Sequence, residues 1–316
     1  MPPRSRLDVP TTAAIVVAVA AVSSSAPLIA FAVAPALAIA FWRNALAAGL
    51  LAPTALATRR TELAGLVRSP TGRRTGLVCV LAGVFLAAHF STWIPSAKLT
   101  TVAAATALGA TQPVWQGLIA LVQGRRLSRL TWLGIAIAVL GAAVASRADF
   151  AASPKAFIGD LLAVVGGMAA AGYTAFGERA RTAISTTTYT TVCYGVCALL
   201  IGVGCLSWGV PLHGFPATTW LAIAALTVGP QLLGHSMFNY ALHRISATTV
   251  SVLILLEVPG AALIGWLWLG QTPRAAAWPG LVLLVVGVAV VVLGSRRPAR
   301  PSDSGAPPVP DAVLTG

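Results

Sequence analysis

Long apolar runs separated by short polar stretches dominate the pattern of this chain. A helix needs about 20 mostly apolar residues to cross a bilayer. Ten segments meet this condition: residues 12–33, 36–58, 76–97, 101–122, 130–147, 157–178, 186–209, 218–240, 247–269 and 275–294. A transmembrane barrel would instead show stretches of about ten residues in which apolar and polar positions alternate. The run 281–293 does not alternate, so the pattern predicts an all-α polytopic membrane protein with ten transmembrane helices.

The first segment has an alternative interpretation. Arg4 and Arg6 precede an apolar stretch that ends in small residues at positions 22–26. This arrangement is also typical of a cleaved secretory signal. The internal repeat described below requires residues 12–33 as the partner of a later helix, and it therefore favours a retained transmembrane helix.

The composition excludes several other classes of protein. Hydrophobic residues make up 57% of the chain and charged residues only 9%, whereas soluble domains carry about 25% charge. The mean hydropathy is +0.84. A water-soluble globule and a disordered chain are both excluded. The net charge of +13 does not indicate nucleic-acid binding, because the Lys and Arg residues lie in small groups between apolar runs instead of on one element.

The basic residues predict the orientation in the membrane. With ten spans, sixteen Lys and Arg residues lie on the side of both termini, four lie on the other side, and Arg43 lies within a span. The positive-inside rule then places both termini in the cytoplasm, and we predict a bacterial inner (plasma) membrane protein. The predicted organisation is a cytoplasmic N-terminus 1–11, a five-helix repeat 12–147, an external linker 148–156, a second repeat 157–294 and a disordered cytoplasmic tail 295–316. The oligomeric state stays open between monomer and homodimer.

The two halves of the chain resemble each other at an offset of 146 residues. Without a gap, this offset pairs His89 with His235 and Pro113 with Pro259. Each half contains five predicted helices. Because five is odd, the second half must enter the membrane from the opposite side to the first. Such inverted repeats are typical of secondary transporters, in which the substrate site lies between the halves near the middle of the bilayer.

Three stretches add a family resemblance to this repeat. Residues 159–163 read Gly-Asp-Leu-Leu-Ala, residues 256–263 read Leu-Glu-Val-Pro-Gly-Ala-Ala-Leu, and residues 268–271 read Trp-Leu-Gly-Gln. With the two five-helix halves, they resemble the EamA domain of the drug/metabolite transporter superfamily over nearly the whole chain. That family usually has Glu-Pro in the second motif and an acid at the end of the third, where this chain has Val258 and Gln271. The resemblance implies a ten-helix exporter or facilitator of small metabolites with a central cavity and no ATPase.

Two ionisable residues at membrane depth are candidates for function. A charge at the bilayer centre costs about 2.5–3.5 kcal/mol on insertion scales, so such residues are either functional or paired. Glu257, near the middle of the ninth segment, suits a proton-coupling site, and a permanently paired or protonated structural Glu is the alternative. Arg43 lies about 6 Å outward of the centre of the second segment. It either reaches the outer interface or faces inward, toward an anionic substrate group or Glu257.

The eighth segment has polar residues at every fourth position: Thr227, Gln231, His235, Asn239 and His243. This spacing places them on one face of an α-helix, where they predict a hydrated pathway or a hydrogen-bond network between helices. Structural hydrogen bonding between packed helices is the alternative. His89 is the repeat equivalent of His235, and paired histidines can exchange protons near neutral pH. A histidine that is merely satisfied within the core is the alternative for His89.

Further polar and aromatic residues are candidates for the lining of the pathway: Gln112, Gln116, Trp93 and Tyr173. Four prolines are candidates for helix breaks: Pro27, Pro113, Pro230 and Pro259. Each proline removes one helical hydrogen bond. A carbonyl freed in this way is tolerated in a membrane only where protein or water meets it. We therefore expect these helices to bend near the cavity.

The sequence predicts neither a cofactor nor a metal site. Two His and one Glu on three helices form a thin ligand set, and no GxxxxGK[ST] motif for phosphate binding is present. The expected partners are the lipid bilayer and a small-molecule substrate. The predicted function is a secondary transporter, an exporter that works by alternating access, with proton coupling through Glu257 as one option and facilitative exchange without protons as the other. A membrane-embedded enzyme that uses His89, His235 and Glu257, and a scaffold that transports nothing, are the alternatives from other classes.

Overall fold

The computed structural model describes residues 8–100, 105, 108–146, 154–269, 275 and 278–294. Most of these residues are helical, and none of them lies in a strand. The helices are α1 Val9–Ser23, α2 Ser25–Phe31, α3 Ala36–Thr58, α4 Arg60–Arg68, α5 Pro70–Leu99, α6 Gln112–Val122, α7 Arg129–Ser146, α8 Pro154–Ala180, α9 Thr186–Ser207, α10 Ala217–Leu226, α11 Ser236–Ala241, α12 Ala247–Ile254, α13 Glu257–Leu269 and α14 Trp278–Gly294. A π-helix, Thr227–His235, joins α10 to α11.

Seven helical segments are long and apolar enough to cross a bilayer, and the apolar helices α7 and α14 are somewhat shorter. The outward face of α14 exposes Val282, Val285 and Leu293, as lipid contact requires. The chain is therefore a multi-pass membrane protein. A total of ten spans stays a prediction, because most of residues 101–107 lie outside the described part of the chain. The predicted tail 295–316, most of the linker 148–156 and Gln271 lie outside it as well.

The stretch between the second and third predicted spans is more helical than its sequence indicated. It contains the short amphipathic helix α4, and α5 begins at Pro70, six residues before the predicted start at position 76. The hydroxyl of Ser69 accepts a hydrogen bond from Gly72 N (2.9 Å) at this end of α5. A polar cap and a proline in the first turn define the start of a helix outside the lipid. A hydropathy pattern does not register this signal.

Equivalent helices of the two halves pack against each other in opposite directions. A Cβ atom added to Gly141 of α7 would lie 2.8 Å from the carbonyl oxygen of Gly280 of α14, and one added to Gly134 would lie 3.0 Å from that of Gly287. Residue numbers therefore rise along α7 as they fall along α14. The 146-residue offset converts Gly134 into Gly280 and Gly141 into Gly287, so this contact maps onto itself.

The other main contacts follow the same approximate twofold relation. Helix α3 packs along α9, which is its equivalent in the second half. Helix α5 packs along α8, and α1 packs along the π-helix and α11. The 146-residue offset converts the α5–α8 contact into the contact of α1 with the π-helix and α11. The two halves therefore interlock, and their interface runs through the centre of the bundle.

Candidate functional site

A cavity of about 70 Å³ lies between the two halves. One buried water needs about 10–15 Å³ of such space, so the cavity has room for several waters or part of a small solute. Seven residues that the sequence singled out line it: His89, Trp93 and Gln112 from the first half and Tyr173, His235, Asn239 and Glu257 from the second. Both halves thus contribute polar and aromatic groups to one cavity.

The two equivalent histidines meet across this cavity. Their ring centroids are 6.5 Å apart. His89, on α5, lies 2.9 Å through Nδ1 from the carbonyl oxygen of Gly166, and its ring stacks on Trp93 at 6.1 Å. His235, at the end of the π-helix, lies edge-on to Phe90 at 5.4 Å and to Tyr173 at 6.0 Å. The imidazoles are held in place mainly by other aromatic rings.

Glu257 is the first residue of α13, directly after the interruption at Leu255 and Leu256 that ends α12. The interruption places the carboxylate in the first turn of a helix, where the helix dipole favours a negative charge. The side chain is partly accessible, and it lines the cavity. Within the described part of the chain, its oxygens have no hydrogen-bond partner. Among the described residues, the carboxylate of Glu257 also has no ion-pair partner.

Arg43 is buried inside the bundle, with 1% of its surface exposed, and does not extend to the outer interface. Its Nε donates a hydrogen bond to Gln231 Oε1 (2.9 Å), and Gln231 Nε2 donates to Asn44 Oδ1 (3.1 Å). Its guanidinium carbon lies 4.4 Å from the centroid of the Phe90 ring, which lines the cavity. Among the residues that the structure describes, the terminal nitrogens Nη1 and Nη2 have no hydrogen-bond partner although they are buried.

A second set of hydrogen bonds connects Gln231 to the wall of the cavity. The hydroxyl of Tyr194 lies 3.0 Å from Ser236 Oγ and donates to the carbonyl oxygen of Gln231 at 3.4 Å. Asn239 Nδ2 donates to the hydroxyl of Tyr173 at 2.6 Å. It also lies within hydrogen-bond distance of the Tyr194 hydroxyl, at 3.5 Å. Polar contacts therefore run from the Arg43 cluster to residues that a solute in the cavity would touch.

The predicted polar stripe of the eighth segment does not stay on one face. From Thr227 to His235 the backbone is a π-helix, whose hydrogen bonds run from residue i to i+5. The angle between successive side chains is therefore smaller than in an α-helix. Gln231 contacts Arg43 and is not part of the cavity wall, whereas His235 and Asn239 line it. His243 contacts the carbonyl oxygen of Tyr240 in its own turn.

Three of the prolines follow interruptions of the helix. Pro27 lies three residues after the turn at Ser24, which separates α1 from α2, Pro113 follows a turn at residues 110–111, and Pro259 follows the turn at residues 255–256. Without an N–H group, a proline cannot bond the carbonyl four residues earlier. For Pro113 and Pro259 these carbonyls belong to Gly109 and Leu255, which both line the cavity. The carbonyl oxygen of Leu255 accepts a hydrogen bond from Val258 N (3.1 Å) instead. The fourth proline, Pro230, lies within the π-helix.

Gln116 is placed differently from the other predicted lining residues. It is fully buried on α6 and does not line the cavity. Within the described part of the chain, neither atom of its amide has a hydrogen-bond partner. Sequence reasoning also missed residues that the structure brings to the site: Asn44, Phe90, Tyr194 and Ser236. Of these, only Asn44 carried a usable signal, as an amide next to Arg43 inside an apolar segment.

Polar contacts join the halves on the side that we predict to be cytoplasmic. Arg125 donates to both carboxylate oxygens of Glu178 (3.0 and 2.9 Å). The carboxylate of Glu62, on α4, accepts hydrogen bonds from Ser185 N, Ser185 Oγ and Thr188 Oγ1, each 2.6 Å long. Burial raises the pKa of Glu62, but the hydrogen bonds from Ser185 and Thr188 and the charge of Arg59 together outweigh it, so the pKa lies below its usual value.

A multi-pass helical protein with a cavity between two related halves has the general organisation of a membrane transporter. Sequence comparison agrees: the family model of the EamA-like transporter family matches residues 11–147 and 157–293. Both the starts and the ends of these matches are 146 residues apart, since 157 minus 11 and 293 minus 147 give the same difference. The chain belongs to the EamA-like transporter family.

Two similar proteins extend this comparison. A probable terminal-alkyne amino-acid exporter from Streptantibioticus cattleyicolor is 34% identical over 95 residues, which cover 28% of this chain and 32% of that protein. A solved structure, titled only as the crystal structure of a protein, has a TM-score of 0.73 at 22% sequence identity and covers 90% of this chain and 97% of its own. At that identity, the second comparison shows a shared fold alone.

Proposed function

We propose that this protein is a secondary transporter that exports small metabolites of the amino-acid class by alternating access between two inverted halves. It lies in the bacterial inner membrane with both termini in the cytoplasm. The antiparallel packing of α7 on α14 supports the inversion, because helices related by an axis in the membrane plane run in opposite directions. The exporter from Streptantibioticus cattleyicolor supports the substrate class.

The observation that carries this proposal is the position of the cavity. Residues from both halves line it, and repeat-equivalent histidines face each other across it. Rocking of one half against the other would open such a space to each side of the membrane in turn. An enzyme that used His89, His235 and Glu257 is less well supported, because the family to which the chain belongs consists of transporters.

We further propose that Glu257 couples export to protons. It is an acid on the cavity wall without a fixed partner among the described residues, and it can therefore exchange a proton with a solute or with water in the cavity. Facilitative exchange without protons is the second candidate. The unpaired side chain of Glu257 favours the coupled mechanism, because a structural carboxylate buried in a membrane protein would be expected to have a partner.

Flux measured in vesicles separates these two mechanisms. Proteoliposomes of the purified protein should accumulate an amino-acid solute when a pH gradient is imposed, and Glu257→Gln should reduce this accumulation at least tenfold. Counterflow without a gradient should be reduced less than this accumulation in the same variant. Asp160→Asn is a matched control, since this acid does not line the cavity. Accumulation that Glu257→Gln leaves unchanged would contradict coupling and favour facilitative exchange.

Thiol labelling tests alternating access without a known substrate. The four native cysteines are buried, so introduced cysteines dominate the reaction with impermeant reagents. In the double variant Trp93→Cys and Leu242→Cys, external labelling at position 93 should slow internal labelling at position 242 at least tenfold. External labelling of Lys98→Cys, outside the cavity, should not. Independent labelling of positions 93 and 242 would indicate a static pore instead.

The predicted orientation has its own test. Arg126→Cys and Arg244→Cys should react with an impermeant reagent only from the cytoplasmic side, and Lys98→Cys only from outside. Reaction of positions 126 and 244 from different compartments would exclude the arrangement of two inverted five-helix halves.

A further inference from the structure

We propose that Arg43 is the carboxylate-binding residue of this transporter and that the transported solute is a zwitterion, with Glu257 as the partner of its ammonium group. The proposal rests on the proposed function and specifies the substrate chemistry of the same cavity. Arg43 itself is not part of the cavity wall. Its guanidinium packs against the ring of Phe90, and Phe90 is part of the cavity wall.

The first argument is the orientation of the guanidinium group. Its Nε is bonded to Gln231, and the amide of Gln231 is held in turn by Asn44. Asn44 Nδ2 donates to the carbonyl oxygen of Ala40 at 2.9 Å, so this chain of hydrogen bonds is anchored on the backbone of α3. The plane of the guanidinium is therefore fixed. Its free edge, Nη1 and Nη2, presents parallel donors that match the two oxygens of a carboxylate.

The second argument is the missing partner. A buried charge without a counterion is strongly destabilising, and the free edge of Arg43 consists of buried donors without acceptors in the part of the chain that the structure describes. No described carboxylate lies within 4.0 Å of this group. Glu257 interacts with it electrostatically but lies on the cavity wall without direct contact. An anion that reaches Arg43 from the cavity would satisfy both free nitrogens.

The third argument is the arrangement around Phe90. Its ring contacts the Arg43 guanidinium at 4.4 Å and the His235 ring at 5.4 Å, and it forms part of the cavity wall. The Phe90 ring stabilises the Arg43 guanidinium through a cation–π interaction when no anion is bound. Because this ring contacts the guanidinium and also lines the cavity, binding of the carboxylate would require the ring to be displaced. The negative charge of Glu257 and the surrounding aromatic rings are then available to an ammonium group.

Three probes test the proposal on the purified full-length protein in lipid nanodiscs: propargylglycine, propargylglycinamide and but-3-ynylamine. All three carry the ammonium group. The amide has nearly the size of the acid without its charge, and the amine lacks the carboxyl group altogether. Titration calorimetry should show that the protein binds the acid at least tenfold more tightly than the amide or the amine. This comparison needs no variant, so a misfolded variant cannot obscure it. Equal affinity for the acid and the amide would overturn the proposal, as would the absence of binding by all three probes.

Variants assign the preference to Arg43. Arg43→Gln should abolish the tenfold preference for the acid, and Arg43→Lys should restore part of it, because Lys keeps the charge and loses the bidentate edge. Arg126→Gln, an exposed arginine outside the cavity, should leave the preference unchanged. A folded Arg43→Gln protein that still prefers the acid would contradict the assignment. If thiol labelling shows alternating access while the acid has no advantage, the proposed function stands and this inference fails.

Discussion

The 146-residue offset gives the cluster around Arg43 an exact positional counterpart in the other half of the molecule, and the two places differ sharply in chemistry. On the predicted outer side, Arg43, Asn44 and Gln231 form a buried chain of hydrogen bonds. The counterpart positions on the predicted inner side are Tyr189, Thr190 and Phe85. There Phe85 packs on Phe176 at 5.4 Å, and Tyr189 is fully buried. A polar cluster in one half thus corresponds to a mainly aromatic one in the other.

Other features are common to both halves. The histidines of the two halves meet at 6.5 Å, and the antiparallel contact of α7 and α14 is symmetric. The comparison therefore separates two requirements. In the proposed mechanism, symmetric backbone packing supplies two equivalent arrangements between which the halves move. In the proposed site, asymmetric side chains bind a solute whose two ends differ. The following predictions test this division, from the largest expected effect to the smallest.

Replacing Arg43 by the residue at its counterpart position should strongly weaken recognition of the solute. Arg43→Tyr should weaken binding of propargylglycine about thirtyfold or more, since removal of one partner of a buried, hydrogen-bonded charge pair costs about 2–5 kcal/mol. Titration calorimetry measures this change. The reciprocal site gives the control, because Tyr189→Phe should change the affinity less than about twofold. Similar losses in both variants would show that the two clusters are functionally equivalent.

Breaking the symmetric contact should damage folding instead of recognition. A Cβ atom at Gly280 would lie 2.2 Å from the backbone nitrogen of Ala145, and Gly280→Ala should therefore destabilise the protein by about 1–3 kcal/mol through overpacking. Thermal unfolding in detergent measures the effect. At Gly49, in the middle of α3, an added Cβ atom meets nothing within 4 Å. Gly49→Ala should be neutral or raise the melting temperature, and equal losses at the two glycines would contradict this account.

The smallest effect is expected at Glu62, whose counterpart in the other half is the exposed Trp208. Because the pKa of Glu62 is lowered in the folded state, its contribution to stability is present above the usual carboxyl pKa and is lost as the pH falls through the lowered value. Glu62→Gln should cost about 1 kcal/mol at pH 7, after allowance for solvent screening of a partly exposed group.

Melting temperatures at a series of pH values test this assignment. The difference between the wild-type protein and Glu62→Gln should shrink as the pH falls through the lowered pKa of Glu62, where the native carboxylate itself takes up a proton. A difference that is independent of pH between 7 and 3 would assign the effect of Glu62 to packing instead of charge.

Hydropathy and the repeat predicted much of this molecule. The apolar segments located the helices, and the 146-residue offset paired His89 with His235, whose ring centroids lie 6.5 Å apart. The periodicity of apolar residues does not register helix caps. The prediction therefore missed α4 and the early start of α5. The interpretation of residues 227–243 as one polar face assumed α-helical geometry, which the π-helix replaces. The contact between Arg43 and Gln231 joins residues 188 positions apart, and only the packing of the two halves brings them together.

The π-helix has a geometric consequence for the residues that follow it. A backbone bonded from i to i+5 takes up more residues per turn than one bonded from i to i+4. Were one residue of the segment rewound into α-helical geometry, α11 would rotate by about 100°, the share of one residue in a turn of 3.6. Asn239 would then rotate away from Tyr173, although the chain would stay helical throughout. The helical geometry of residues 227–235 therefore decides which side chains of α11 line the cavity.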